Sequence, residues 1–103
     1  MSTDADHQAL DFNIGRILQM FLAAEIDIGV AKLDITKNFS SPQSEKLAID
    51  LDSYLFRLLD QLRGGDLEAS EVRLDLVRLG ILANAHDEDF AKRIRQDADN
   101  RLA

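Results

Sequence analysis

A chain of 103 residues with 46% hydrophobic and 30% charged side chains is long enough to bury a core of its own and too apolar to be disordered. It has no cysteine, which excludes disulfides, thiol catalysis and cysteine-based zinc sites. The net charge is −7 and no long segment is net basic, which weighs against nonspecific binding to nucleic-acid backbones or anionic membranes.

Residues 1–9 are polar and acidic, and read as a flexible tail or an extra first turn capped by Asp4 or Asp6. A secretion signal would be basic and then apolar here, and no apolar run approaches the ~18–20 residues that span a bilayer. A soluble protein of the cytoplasm, with no membrane contact, is the expectation. Residues 10–103 then form a single helical domain.

From Leu10 the sequence takes on a helical period. Leu10, Ile14, Ile17, Phe21, Ala24, Ile28, Ala31 and Ile35 recur at alternating spacings of four and three, which stacks them along one seam. This predicts a long central first helix reaching about Asn38, roughly 43 Å at ~1.5 Å per residue, with Gly29 as a point of kinking. Leu18, Leu22, Ile26 and Leu33 form a second apolar stripe well round from the first. One face is expected to meet the chain's own core and the other a second chain, so these four residues are the candidate association surface of a homodimer. Residues 25–30 alternate polar with apolar and admit a strand as the alternative.

Ser40-Ser41-Pro42-Gln43 has the spacing of a capping box with proline in the first helical turn, and predicts a helix from Pro42 to about Arg63. Leu47, Leu51, Tyr54, Leu55, Leu58, Leu59 and Leu62 form its apolar face, widened by Ile49 and Phe56. Gly64-Gly65 ends it, and Asp66 is expected to cap a third helix from Leu67 to about Ala83. In that helix Leu74, Val77 and Ile81 share a stripe beside Val72, Leu76 and Leu79, although residues 72–76 also alternate like a strand. A fourth helix from Glu88 to about Arg101 presents Phe90, Ile94, Ala98 and Leu102. No internal repeat and no low-complexity tract is expected. The expectation is an all-α bundle of about four helices with short connections.

Chemistry-bearing motifs are scarce. His86-Asp87-Glu88-Asp89 reads as a helix start with acids at the positive end of the dipole; an EF-hand fails because Lys92 stands where the turn glycine is needed. No phosphate-binding glycine loop or metal-ligand spacing is present, so no cofactor is expected. These features favour a small acidic, non-enzymatic regulator that binds another protein, of the adaptor, antitoxin, immunity or anti-activator kind. The alternative is a DNA-binding transcriptional regulator with a helix-turn-helix over residues 47–83, helped by Lys92, Arg93 and Arg95. Nucleic acid is the less favoured partner, because the exposed charges of the third helix are mixed and Asp89, Asp97 and Asp99 flank the basic cluster.

Overall fold

The computed structural model describes the backbone of residues 3–39 and 44–102, and the side chains of 7–39, 44–86 and 88–97. Among the described residues there are five helices: α1 (Thr3–Leu22), α2 (Ile28–Thr36), α3 (Glu45–Arg63), α4 (Ala69–Ala85) and α5 (Asp87–Leu102). No strand occurs among the described residues: residues 25–30 form a loop and the start of α2, and residues 72–76 lie within α4. The predicted capping box at residues 40–43 and the side chains of Ala98 and Leu102 lie outside the described residues. α1 takes in residues 3–9, so Asp4 and Asp6 lie within the helix rather than capping it.

The long first helix of the sequence reading is instead two helices. α1 closes when the Glu25 N–H donates back to the Met20 carbonyl at 2.9 Å and the Ala24 N–H to Phe21 at 3.1 Å. Ala24 sits between them in the left-handed region, with φ 61°. This is the Schellman closure, in which one left-handed residue lets the chain satisfy the last carbonyls of a helix and leave it. Asp27 then accepts the Val30 N–H at 2.8 Å and starts α2. Gly29 lies in the first turn of α2 and makes no kink. The seam survives on either side of the break, where Leu10, Ile14, Ile17, Phe21, Ala31 and Ile35 are all buried, but not at it: Ile28 is partly buried and Ala24 exposed. Folding it in two keeps the molecule within a radius of gyration of 13.2 Å.

The same closure recurs between α3 and α4. The Asp66 N–H reaches the Gln61 carbonyl at 2.9 Å and the Gly65 N–H reaches Leu62 at 3.2 Å, with Gly65 at φ 85°. Asp66 therefore belongs to the closure rather than to a cap; α4 begins at Ala69 behind Glu68, whose side chain makes no capping bond. α3 starts one turn later than Pro42, where Ser44 accepts the Leu47 N–H at 3.1 Å.

These matching closures expose a repeat. A shift of 41 positions takes Leu10-Asp11 onto Leu51-Asp52, Arg16 onto Arg57, Leu18 onto Leu59, and Leu33-Asp34 onto Leu74-Asp75. It also takes Glu25-Ile26-Asp27 onto Asp66-Leu67-Glu68 and Lys32 onto Arg73. The helices follow the same shift, α1 matching α3 and α2 matching the start of α4. Each half is a helical hairpin, and the halves embrace: α1 packs on α4 as α3 packs on α2. The ion pairs exchange in the same sense, since Arg73 holds Asp11 at 2.9 Å and Lys32 holds Asp52 at 3.1 Å. The contact pattern is that of an approximate two-fold.

α5 breaks the symmetry by packing on α3 and α4. Its Phe90 meets Phe39 edge to face at 6.3 Å, and Ile94 is fully buried. Its polar side chains lock the same junction. Tyr54, itself buried, donates to Asp75; Arg93 donates to Asp75 at 2.9 Å and to the Tyr54 hydroxyl at 3.3 Å; and Arg57 pairs with Asp97.

Candidate functional site: the face between α2 and α3

The apolar surplus that the sequence places on the first helix is distributed differently in three dimensions. Seven large hydrophobic side chains are exposed among the described residues, and four of them, Val30, Leu33, Ile49 and Phe56, lie on α2 and α3. Ile49 and Phe56 are seven residues apart and so share a face of α3, with Asp52 between them. They were expected to widen the buried side of that helix; the core is instead filled by Leu51, Tyr54, Leu55, Leu58, Leu59 and Leu62, which leaves the pair outside. Leu74 likewise turns outward, while Val72, Leu76 and Leu79 face in.

Between α2 and α3 runs an open groove of about 460 Å³, lined by Gly29, Lys32, Leu33, Thr36, Ala48, Leu51 and Asp52. The Lys32 ammonium lies against both carboxylate oxygens of Asp52, at 3.1 and 3.2 Å, and 5.4 Å from the centre of the Phe56 ring. The Lys32 side chain is largely covered, whereas Asp52 is open to solvent. An ion pair held against an aromatic face is thus flanked by Leu33, 57% exposed, Ile49, 64%, and Phe56, 46%.

The four residues expected to make one association surface do not share one. Leu18 is 2% exposed and belongs to the core, and Ile26 packs partly buried from the α1–α2 loop. Leu22 is exposed at the end of α1, beside a separate groove between α1 and α4 that includes Gly15, Ala69, Ser70 and Arg73. Leu33 alone of the four stands on the α2–α3 face. The closure at Ala24 turns α2 away from the axis of α1 and so parts Ile26 and Leu33 from Leu18 and Leu22; within α1, Leu18 enters the core while Leu22, at the helix end, stays outside it. Ile49 and Phe56 were missed because a wide apolar face in a helix period does not reveal which of its edges the neighbouring helices leave uncovered.

The basic cluster is not a uniform patch. Arg93 is drawn to Asp75 and Tyr54 rather than to Asp89, while Lys92 and Arg95 are exposed. On α4, which would be the second helix of the helix-turn-helix, Arg73 is held by Asp11 through two hydrogen bonds at 2.9 and 3.0 Å. The outward side of that helix shows Glu71, Leu74 and Arg78, with Glu68 exposed just before it. Among the described residues no three His, Asp or Glu side chains converge in the manner of a metal site, and no helix is long and apolar enough to cross a membrane.

Comparison with family models, with curated proteins and with solved structures finds no match to this chain.

Proposed function

We propose that this protein is a small, non-enzymatic regulator of the cytoplasm that acts by binding protein, and that the α2–α3 face is where it binds. The observation that carries the reading is the cluster of Leu33, Ile49 and Phe56, each roughly half exposed or more, around the Lys32–Asp52 pair and the adjoining groove. Single exposed apolar residues are ordinary on a protein surface, but neighbouring ones bordered by charge are the composition of a docking site. The non-enzymatic part is supported by how the principal polar cluster is arranged. Asp75 borders an open groove of about 330 Å³ but is satisfied by Tyr54 and Arg93, and Asp97 is paired with Arg57, so these groups hold helices together. The transcriptional-regulator reading has less behind it, since Arg73 and Arg93 are tied to carboxylates of their own chain.

The test is affinity capture with the wild type and with a Leu33→Glu/Phe56→Glu variant. Both substitutions are on exposed positions, so the variant should retain its helical circular-dichroism spectrum. A stoichiometric protein bound to the wild type and lost from the variant is the expected result. Equal capture by both, or none by either across a concentration series that also excludes self-association, overturns the reading.

A further inference from the structure

The internal repeat supplies a control for which surface features the fold itself demands. Shifting by 41 positions, Ile49 corresponds to Gln8, Phe56 to Gly15 and Val30 to Glu71. One copy of the hairpin arrangement therefore buries its core and forms its cross-hairpin ion pair with polar residues or no side chain at those places. Val30, Ile49 and Phe56 are therefore not a requirement of packing, whereas Leu33 is matched by the similarly exposed Leu74. The exchange runs the other way at Phe12 and Leu22, which correspond to Ser53 and Arg63, but those two stand ten residues apart on α1. Leu22 lines the α1–α4 groove that Arg73 also lines, but Gln8 and Gly15, placed about Asp11 as Ile49 and Phe56 are about Asp52, bring no apolar side chain to that pair.

We propose that the α2–α3 face is covered by the same face of a second copy of this chain. The proposal rests on the reading of that face as the docking site and names its occupant. Charge complementarity identifies that occupant. The centre of the face carries one cation and one anion side by side, Lys32 and Asp52, with apolar residues around them. Such a face is its own electrostatic complement: a two-fold axis passing beside the pair sets Lys32 of each protomer against Asp52 of the other. The four charges then alternate in sign around the axis, and Leu33, Ile49 and Phe56 meet their counterparts outside them. A two-fold interface requires this reciprocity, in which residue i meets j and j meets i. A strongly basic partner would find its match in an acidic face, whereas here the acid already has its cation. Lys32 is also fixed in place by the Phe56 ring, so little ordering remains to be done on association.

The experiment is sedimentation velocity of the full chain over a concentration series, with Lys32→Asp and Asp52→Lys run separately and mixed, and circular dichroism confirming that each is folded. The wild type is expected to reach twice its 11.5 kDa mass as concentration rises. Each variant alone sets like charges across the axis and stays monomeric. In the equimolar mixture one protomer carries acids at both positions and the other carries lysines at both. Both contacts across the axis then join opposite charges, and mass doubling returns. No loss of structure could be repaired by mixing in this way. Two results overturn the proposal: a wild type that stays monomeric throughout, or folded variants that associate as well alone as mixed. Because the chain has no cysteine, Ile49→Cys offers a measurement independent of the charge variants. A short bismaleimide should join Ile49→Cys protomers but not Phe12→Cys protomers, and equal joining of both also overturns it. A monomeric wild type that still captures a foreign protein through Leu33 and Phe56 would refute self-association and leave the docking face standing.

Discussion

Gly15 and Gly80 both lie where a neighbour crosses a helix closely, yet substitution should act very differently at the two. A Cβ on Gly15 would fall 2.5 Å from the Arg73 guanidinium carbon, the far end of a flexible side chain. Moving it forfeits an exposed pair with Asp11 worth at most ~1 kcal/mol, while alanine in a helix gains about as much over glycine. A Cβ on Gly80 would fall 2.8 Å from Leu10 Cδ2 and 2.9 Å from Phe39 Cε1, both in the core. Overpacking of that kind costs ~1–3 kcal/mol. In urea denaturation Gly15→Ala should therefore remain within ~0.5 kcal/mol of the wild type and Gly80→Ala should lose more than that, despite the longer contact. The reverse order would mean that the Arg73–Asp11 crossing matters more to stability than the core does. Tyr54 offers a second test at this scale. Burial, and then its hydrogen bond to Asp75, push its phenol well above the ordinary value. A group raised on folding contributes stability that is complete below its unfolded pKa, about 10, and is lost as pH climbs through the folded value. The chain has a single tyrosine and no tryptophan, so tyrosinate absorbance reports this residue alone. It should stay low beyond about pH 10 and rise together with loss of the helical signal. Titration near 10 in a folded chain would contradict the burial of that hydroxyl.

At the scale of elements, the two helix closures show what sequence signals and what it hides. Gly64-Gly65 announces a stop because glycine tolerates the left-handed conformation, and α3 does end there. The closure after α1 uses Ala24 for the same conformation, so nothing in the residue type marks it, and the apolar period runs on across the gap. The consequence is measurable. Ala24→Gly removes the crowding of Cβ in a left-handed residue and should stabilise the protein by up to ~1 kcal/mol, whereas glycine inside a continuous helix would cost about that amount. The sign of the change therefore distinguishes a broken helix from an unbroken one. Asp27→Ala should cost ~1 kcal/mol and speed hydrogen exchange at the Val30 amide, because it removes the cap that restarts the helix. Most of the seam was legible, since six of its eight residues are in the core whether the helix is one or two; Ala24 is exposed at the closure and Ile28 is partly buried. The repeat was not, because only scattered positions are identical and the rest are exchanges such as Ile for Leu or Lys for Arg, which preserve shape and charge but not letters. The candidate site was legible only at Leu33; the remainder depends on which sides of α3 its neighbours cover.

For the whole molecule, the question is whether two embracing hairpins with an added helix behave as one cooperative unit or as a pair with a detachable fifth element. The approximate two-fold would allow the hairpins to stand by their mutual packing alone. The contacts argue otherwise, because the helices close a ring: α1 touches α2 and α4, α2 touches α3, and α5 joins α3 to α4. α5 also reaches across to the first hairpin, where Phe90 packs on Phe39, and Phe39 lies against Gly80 of α4. Loss of α5 would uncover that aromatic contact and separate Arg93 and Asp97 from Tyr54, Asp75 and Arg57 at once. Ile94→Ala, at a fully buried position, should cost ~2–5 kcal/mol, a large share of the ~5–15 kcal/mol that holds a domain of this size. If the ring is one unit, that loss spreads beyond α3 and α4, the helices on which α5 chiefly packs. Slowly exchanging amides at Ile14 in α1 and Ile35 in α2 should lose protection by the same free energy as amides in α5, and melting should remain a single transition at lower temperature. Unchanged protection at Ile14 and Ile35 beside an unprotected α5 would show the paired hairpins to be the folding unit and α5 an appendage docked upon it.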